Sequence, residues 1–389
     1  MYSEEDINGA VAAGALTPDA AAALRAHMTR VREVPRTDEE NFRLVNSFND
    51  IFVAIAIIIM LVAAGATGQA IGGLIAPAAD WPTGQVADAV YNRIAQQNAY
   101  NTSMSLMLGA ALVAATAWPL AEIFARRRRM ALPSILLLLA FVGGTLATLF
   151  GLGQLLVSQE SDMAGALILA GAGLFAAGAA WLHWRRFMVP ITIAAGAGAL
   201  ALTVLALIVS GLEAAGVEDS GTIILWLVFI TGLLIFAFAM RWDISDRERV
   251  TRRSDVAFWL HLLAAPMIAH PVFHSLGIMS GGDAVGIGSA LAVLGIYVVF
   301  GIVALVIDRR ALLVSALAYV LAALTFLFDR FGAVELNFAL TALVIGSALL
   351  TLSAFWTPLR ARLVAALPTA WQARVPVSGV APPMGMVPA

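Results

Sequence analysis

Histidine titrates nearest neutral pH of all side chains. Three of the five histidines here, His261, His270 and His274, fall in one apolar stretch, residues 256–278, together with Pro266 and Pro271. At about 100° per residue His270 and His274 lie roughly 40° apart on one helical face, while His261 points to the opposite side. Two neutral imidazoles at that spacing supply two ligands for a divalent metal ion, with a third from Asp283, Asp329 or Glu335, all expected near the same outer end of the chain's helices. The same pair can instead relay protons and couple a gradient to a solute, or only hydrogen-bond neighbouring helices. No Glu stands between the two histidines, so the two-histidine, catalytic-glutamate pattern of zinc hydrolases is missing. Each proline deprives the carbonyl four residues earlier, at Leu262 and Met267, of its usual donor. That predicts a bent or broken helix, the device with which many transporters bind substrates or ions.

Other ionisable residues offer less. Asp50, close to Asn46 and Asn49, and Asp255, before the histidine-bearing stretch, fit either a cytoplasmic gate or the electrostatics of helix N-termini. Glu122 precedes four arginines and reads as an interfacial ion-pair partner, while Asp243 and Asp246 are neutralised by Arg241, Arg247 and Arg249. His183 sits too far from His270 to form a bis-histidine haem site. Cysteine and lysine are absent, which removes thiolate nucleophiles, thiol-based metal sites, Schiff-base lysines and the phosphate loop that needs one. With no recognisable nucleophile–base pair, an enzyme is not expected.

The elements that must position these residues are membrane spans. Of 389 residues 61% are hydrophobic and only 12% charged, against about 25% charged in soluble domains, and mean hydropathy is +0.88. This excludes a cytosolic enzyme and a nucleic-acid binder. About 20 apolar residues cross the hydrocarbon core, and ten such stretches are expected, at 51–75, 102–124, 131–157, 163–184, 187–211, 221–240, 256–278, 284–307, 311–328 and 335–356. All 23 basic residues are arginine, and all but Arg93 and Arg330 fall on one side of this alternation. The positive-inside rule makes that side cytoplasmic and places both termini there. The tryptophans Trp118, Trp181, Trp184, Trp242, Trp259 and Trp356 fall near the same ends and read as a headgroup belt. The fold class is therefore all-α, a polytopic transmembrane helix bundle of about ten spans, with a bacterial inner membrane as the simplest location.

Three parts follow: a cytosolic helical hairpin and entry helix at 1–50, the bundle at 51–357, and a tail at 358–389 whose prolines predict a flexible cytoplasmic end. Thr17 followed by Pro18 is a cap-plus-first-turn start for a second helix. The pattern Ile7, Ala10, Gly14, Leu16, Thr17, Pro18, Ala21 and Leu24 resembles the short hairpin that opens several uncharacterised bacterial multi-pass membrane families. The resemblance covers under a tenth of the chain and implies a polytopic inner-membrane protein without an assigned activity. Residues 1–34 form either a solvated cap or a docking site for a cytosolic protein partner. In the outer loop at 76–101, Val86, Ala89, Val90 and Ile94 recur at helical spacing, as in an interfacial helix. Gly68, Gly72 and the Gly and Ala of 165–180 and 196–201 offer small faces for a compact bundle or a homodimer.

Two functions fit. One is a secondary transporter of a small solute or ion, with a proton-coupling or metal site at His270 and His274 in the seventh span. The other is a non-transporting scaffold or sensor acting through its N-terminal hairpin.

Overall fold

The computed structural model describes residues 4–33, 48–157, 162–217, 220–249, 251–277, 287–330 and 337–377. Among them the secondary structure is helical, and nine helices are long and apolar enough to cross a membrane. The chain is an all-α, multi-pass membrane protein. A tenth crossing arises if α12 (Asn337–Ala354) and α13 (Trp356–Ala366), bent by 69° at Phe355, count as one.

Before the bundle, α1 (Glu4–Ala12) and α2 (Pro18–Glu33) pack against each other. Gly14 takes the left-handed backbone its turn requires, φ 73°. Thr17 caps α2, its hydroxyl accepting from the Ala20 N–H at 3.2 Å.

The first crossing, α3 (Phe48–Ile75), packs against α4 (Asp88–Ala121) through glycines. A Cβ on Gly72 would lie 2.6 Å from Ser105 Cα, and one on Gly68 2.7 Å from Gly109 Cα. Backbones approach closely where side chains are missing, and packing of this kind holds helices together in lipid. These small faces are thus consumed within the chain. The helical pattern at 86–94 proves to be the start of α4 rather than a separate interfacial helix. The loop before it is pinned to α4: Asn98 accepts from the Ala79 N–H at 2.8 Å and donates to the Ala79 carbonyl at 3.1 Å, and Gln97 donates to the Pro77 carbonyl at 3.0 Å. At its other end α4 runs through Pro119 into a π-helical turn, Glu122–Arg127.

Next come α5 (Ala131–Leu156), α6 (Asp162–Phe187), α7 (Ile191–Ala214), α8 (Gly221–Ser245), α9 (Arg252–His274), α10 (Ile287–Ile307) and α11 (Ala311–Arg330). The most enclosed span is α9, which packs against α7, α8 and α11. It passes unbroken through Pro266 and Pro271, correcting the expected break. Packing on three sides holds the helix across both lost hydrogen bonds, as neighbouring helices can do in a bundle.

Residues beyond α13 also depart from expectation. A short helix, α14 (Thr369–Gln372), follows it, and the chain to Val377 folds back on the bundle. Arg247 donates to the carbonyls of Gln372 and Val375 at 3.0 and 2.9 Å, and Arg360 to those of Pro376 and Val377 at 2.7 and 3.1 Å. The prolines stop long helices, but the carbonyls they leave exposed are good acceptors for guanidinium groups.

Candidate functional site

Charges inside a helical bundle are costly and mark function more often than chance. Here they gather at the arginine-rich end. Asp243 in the last turns of α8 meets His261 on α9, with His261 Nε2 2.9 Å from a carboxylate oxygen. The other oxygen accepts from Arg309 Nη2 at 2.6 Å, and the same guanidinium donates to the Ser254 carbonyl at 3.0 Å. Asp243, His261 and Arg309 are 1%, 2% and 2% exposed. Aromatic rings seal the unit: Phe236 meets the imidazole edge-on at 5.0 Å between centroids, and Phe258 lies 6.0 Å from the guanidinium carbon. A carboxylate only accepts, so Nε2 donates to Asp243, and in the neutral imidazole Nδ1 then holds the lone pair. That Nδ1 is buried and has no hydrogen-bond partner among the described residues. The unit therefore pairs a carboxylate with an imidazole whose second ring nitrogen has no hydrogen-bond partner among the described residues.

Arg309 owes its place to a sharp turn between α10 and α11, where Asp308 adopts φ 57° and the Arg309 N–H returns to the Ala304 carbonyl at 2.9 Å. This is a Schellman-type helix stop with aspartate at the position glycine usually takes. The Asp308 carboxylate is held by Arg249 at 2.7 Å, Trp356 Nε1 at 2.7 Å and Arg360 at 3.6 Å. Trp356 is consequently a buried connector and not a belt residue. Arg249 also donates to the carbonyls of Ile307 and Asp308, at 3.3 and 3.1 Å. Burial pushes its guanidinium below its ordinary pKa and the Arg309 cation adds to this, while Asp308 and Asp243 oppose it. In this cluster Arg249, Arg309 and Arg360 interleave with Asp243 and Asp308, and Asp255 lies within electrostatic reach of Arg309.

Beside the cluster, a cavity of about 610 Å³ opens between the α4–α5 turn, the α6–α7 turn and the start of α9. Arg126, Arg129, Arg186 and Arg252 line it with Asp255, over a floor that includes Ile135, Val189 and Trp259. The left-handed backbone seen at Asp308 recurs here. Among the described residues, the non-glycine positions with positive φ are Arg129, Met188, Arg249 and Asp308. Two border this cavity and two belong to the charge cluster. Such conformations cost about 1–3 kcal/mol each and concentrate at functional sites.

The residues read from sequence are placed differently from one another. His270 and His274 are neighbours, with ring centroids 5.7 Å apart, and both are exposed near the far end of α9. His270 Nδ1 lies 2.5 Å from the Tyr319 hydroxyl, and Tyr319 stacks on Phe273 in the core. Among the described residues no three His, Asp or Glu side chains come together as a metal site. Asp283 and Glu335 lie outside the described residues, and of Asp329 only the backbone, near the end of α11, is described. His261, on the opposite side of α9 from that pair, contacts Asp243 of α8. Asp255 lines the cavity. Asp50 is buried in the first turn of α3. Glu122 is the ion-pair partner expected, of Arg126 at 3.2 Å and Arg186 at 2.5 Å. Asp246, read from the sequence as neutralised with Asp243 by Arg241, Arg247 and Arg249, accepts from the Thr251 N–H and hydroxyl at 3.0 and 2.7 Å, while Asp243 pairs with His261 and Arg309.

Comparison of the chain with protein-family models, with curated proteins and with solved structures gave no match.

Proposed function

We propose that this protein is a secondary transporter of a small solute, and that its proton-coupling unit is Asp243–His261–Arg309 rather than His270 and His274. The observation that carries the reading is His261: a buried imidazole fixed to a carboxylate through Nε2, with no hydrogen-bond partner for Nδ1 among the described residues. Taking up a proton there adds a positive charge to a buried cluster of arginines and aspartates. In a low-dielectric interior that change is large enough to repack the elements the cluster ties together. Those elements are α8, α9, the α10–α11 turn and α13. One of them, α9, also supplies Asp255 and Trp259 to the open cavity, so the protonatable unit and the solute-accessible space share a helix.

The test is solute-driven proton movement in proteoliposomes, comparing wild type with His261→Gln. Glutamine keeps a donor for Asp243 and removes the basic nitrogen. Loss of coupled flux with retained folding is expected; coupled flux equal to wild type would overturn the assignment.

A further inference from the structure

From the arginine-lined cavity we infer a binding site for a phosphomonoester dianion, carried either by a small soluble metabolite or by a lipid headgroup. The inference rests on the cavity and stands whether or not the bound group is transported.

Positive-inside topology explains why arginines are at this end, but not why four of them from separate elements surround one concavity. Arg126 and Arg129 come from the α4–α5 connection, Arg186 from the end of α6 and Arg252 from the first turn of α9. Against these four cations stand Asp255 in the wall and Glu122, paired with Arg126 and Arg186, leaving a formal charge of two positive. Glu122 engages a single nitrogen on each of Arg126 and Arg186. A guanidinium has five N–H donors, so both retain donors for a ligand while being held in position. Arg129 has no ion-pair partner among the described residues, and its backbone sits at φ 52°, in the left-handed region an arginine seldom occupies. The Met188 turn across the cavity is held in the same way.

A site with two uncompensated charges and planar, forked donors arriving from several directions matches a group with charge near −2 and three oxygens splayed in three directions. A phosphomonoester has those properties near neutral pH. A phosphodiester carries one charge less, and a dicarboxylate spreads its charge over two distant planar groups. The floor of Ile135, Val189 and Trp259 supplies apolar surface for whatever the phosphate is attached to. At about 610 Å³ the cavity has the size of a small-molecule site.

The experiment is calorimetric titration of the full chain in neutral detergent with four probes: glycerol phosphate, short-chain phosphatidic acid, short-chain phosphatidylglycerol and succinate. Each is repeated on Arg129→Gln/Arg252→Gln and on a control, Arg127→Gln/Arg128→Gln. The control removes the same charge from exposed arginines of the same turn that do not line the cavity. Tighter binding of at least one phosphomonoester than of phosphatidylglycerol and succinate is expected. The cavity variant should weaken it by about tenfold or more, through loss of two charge-assisted contacts, and the control by much less. Binding of both phosphomonoesters points to a headgroup-sized site open to water, and binding of phosphatidic acid alone points to a lipid; either supports the inference. Absence of binding by both, equal binding of succinate or phosphatidylglycerol, or equal weakening by the control overturns it. A thermal transition in every variant within a few degrees of wild type secures the comparison.

Discussion

Arg309→Met is the sharpest perturbation of the buried cluster. The guanidinium makes contacts of 2.6 and 3.4 Å with Asp243 and a 3.0 Å bond to the Ser254 carbonyl. Methionine fills much of the volume but strands a carboxylate whose side chain is fully buried. Breaking a buried pair by removing one partner costs about 3–5 kcal/mol, most of it from the charge left behind. Asp243→Asn should be costly for the converse reason, because Arg309 then keeps only neutral acceptors. Combined, Asp243→Asn/Arg309→Met leaves no stranded charge, and the asparagine oxygen still accepts from His261. The double variant should therefore lose less than the two single losses added, by about 1–3 kcal/mol of favourable coupling. Unfolding in mixed micelles titrated with a denaturing detergent, followed by tryptophan fluorescence, measures all three against wild type. Strict additivity would refute the reasoning, since it would mean that the pair does not hold together in the folded protein.

Other outcomes follow from the same packing. Gly72→Ala pushes a methyl to 2.6 Å from Ser105 Cα and should cost about 1–3 kcal/mol, whereas Gly171→Ala, with open space around it, should be neutral or slightly stabilising; thermal unfolding in detergent separates them. Met188→Gly relieves a left-handed backbone at φ 52° and should raise stability by up to about 1 kcal/mol in the same measurement. Tyr319→Phe removes the partner of His270 and should cost about 1 kcal/mol. If that hydrogen bond is the role of His270, purified wild type and His270→Ala/His274→Ala will have the same metal content by mass spectrometry; stoichiometric metal in wild type alone would support the metal reading.

Much of the architecture is legible in the sequence because it depends on local composition. Twenty apolar residues suffice to mark a span, and the Thr17–Pro18 start of α2 and the small faces of Gly68 and Gly72 are read from neighbouring residues. The site is not local. Asp243 and His261 lie 18 residues apart and Arg309 lies 66 from Asp243, so their meeting depends on how two hairpins pack. In sequence Arg309 is indistinguishable from the other arginines that follow the positive-inside rule. The prolines of α9 misled for a related reason: Pro266 and Pro271 weaken the helix locally, but α7, α8 and α11 enclose it. The one local trace is at 308–310, where an Asp-Arg-Arg turn without glycine joins two apolar helices and Asp308 takes a left-handed backbone.

The most direct test of proton-coupled transport is flux in proteoliposomes under an imposed pH gradient, read with an entrapped pH indicator while small solutes, glycerol phosphate among them, are added outside. At least one solute is predicted to accelerate proton movement in wild type and in His270→Ala/His274→Ala, and to leave it unchanged in His261→Gln. No acceleration by any solute, or acceleration that survives in His261→Gln, would contradict the assignment of His261 as the coupling group.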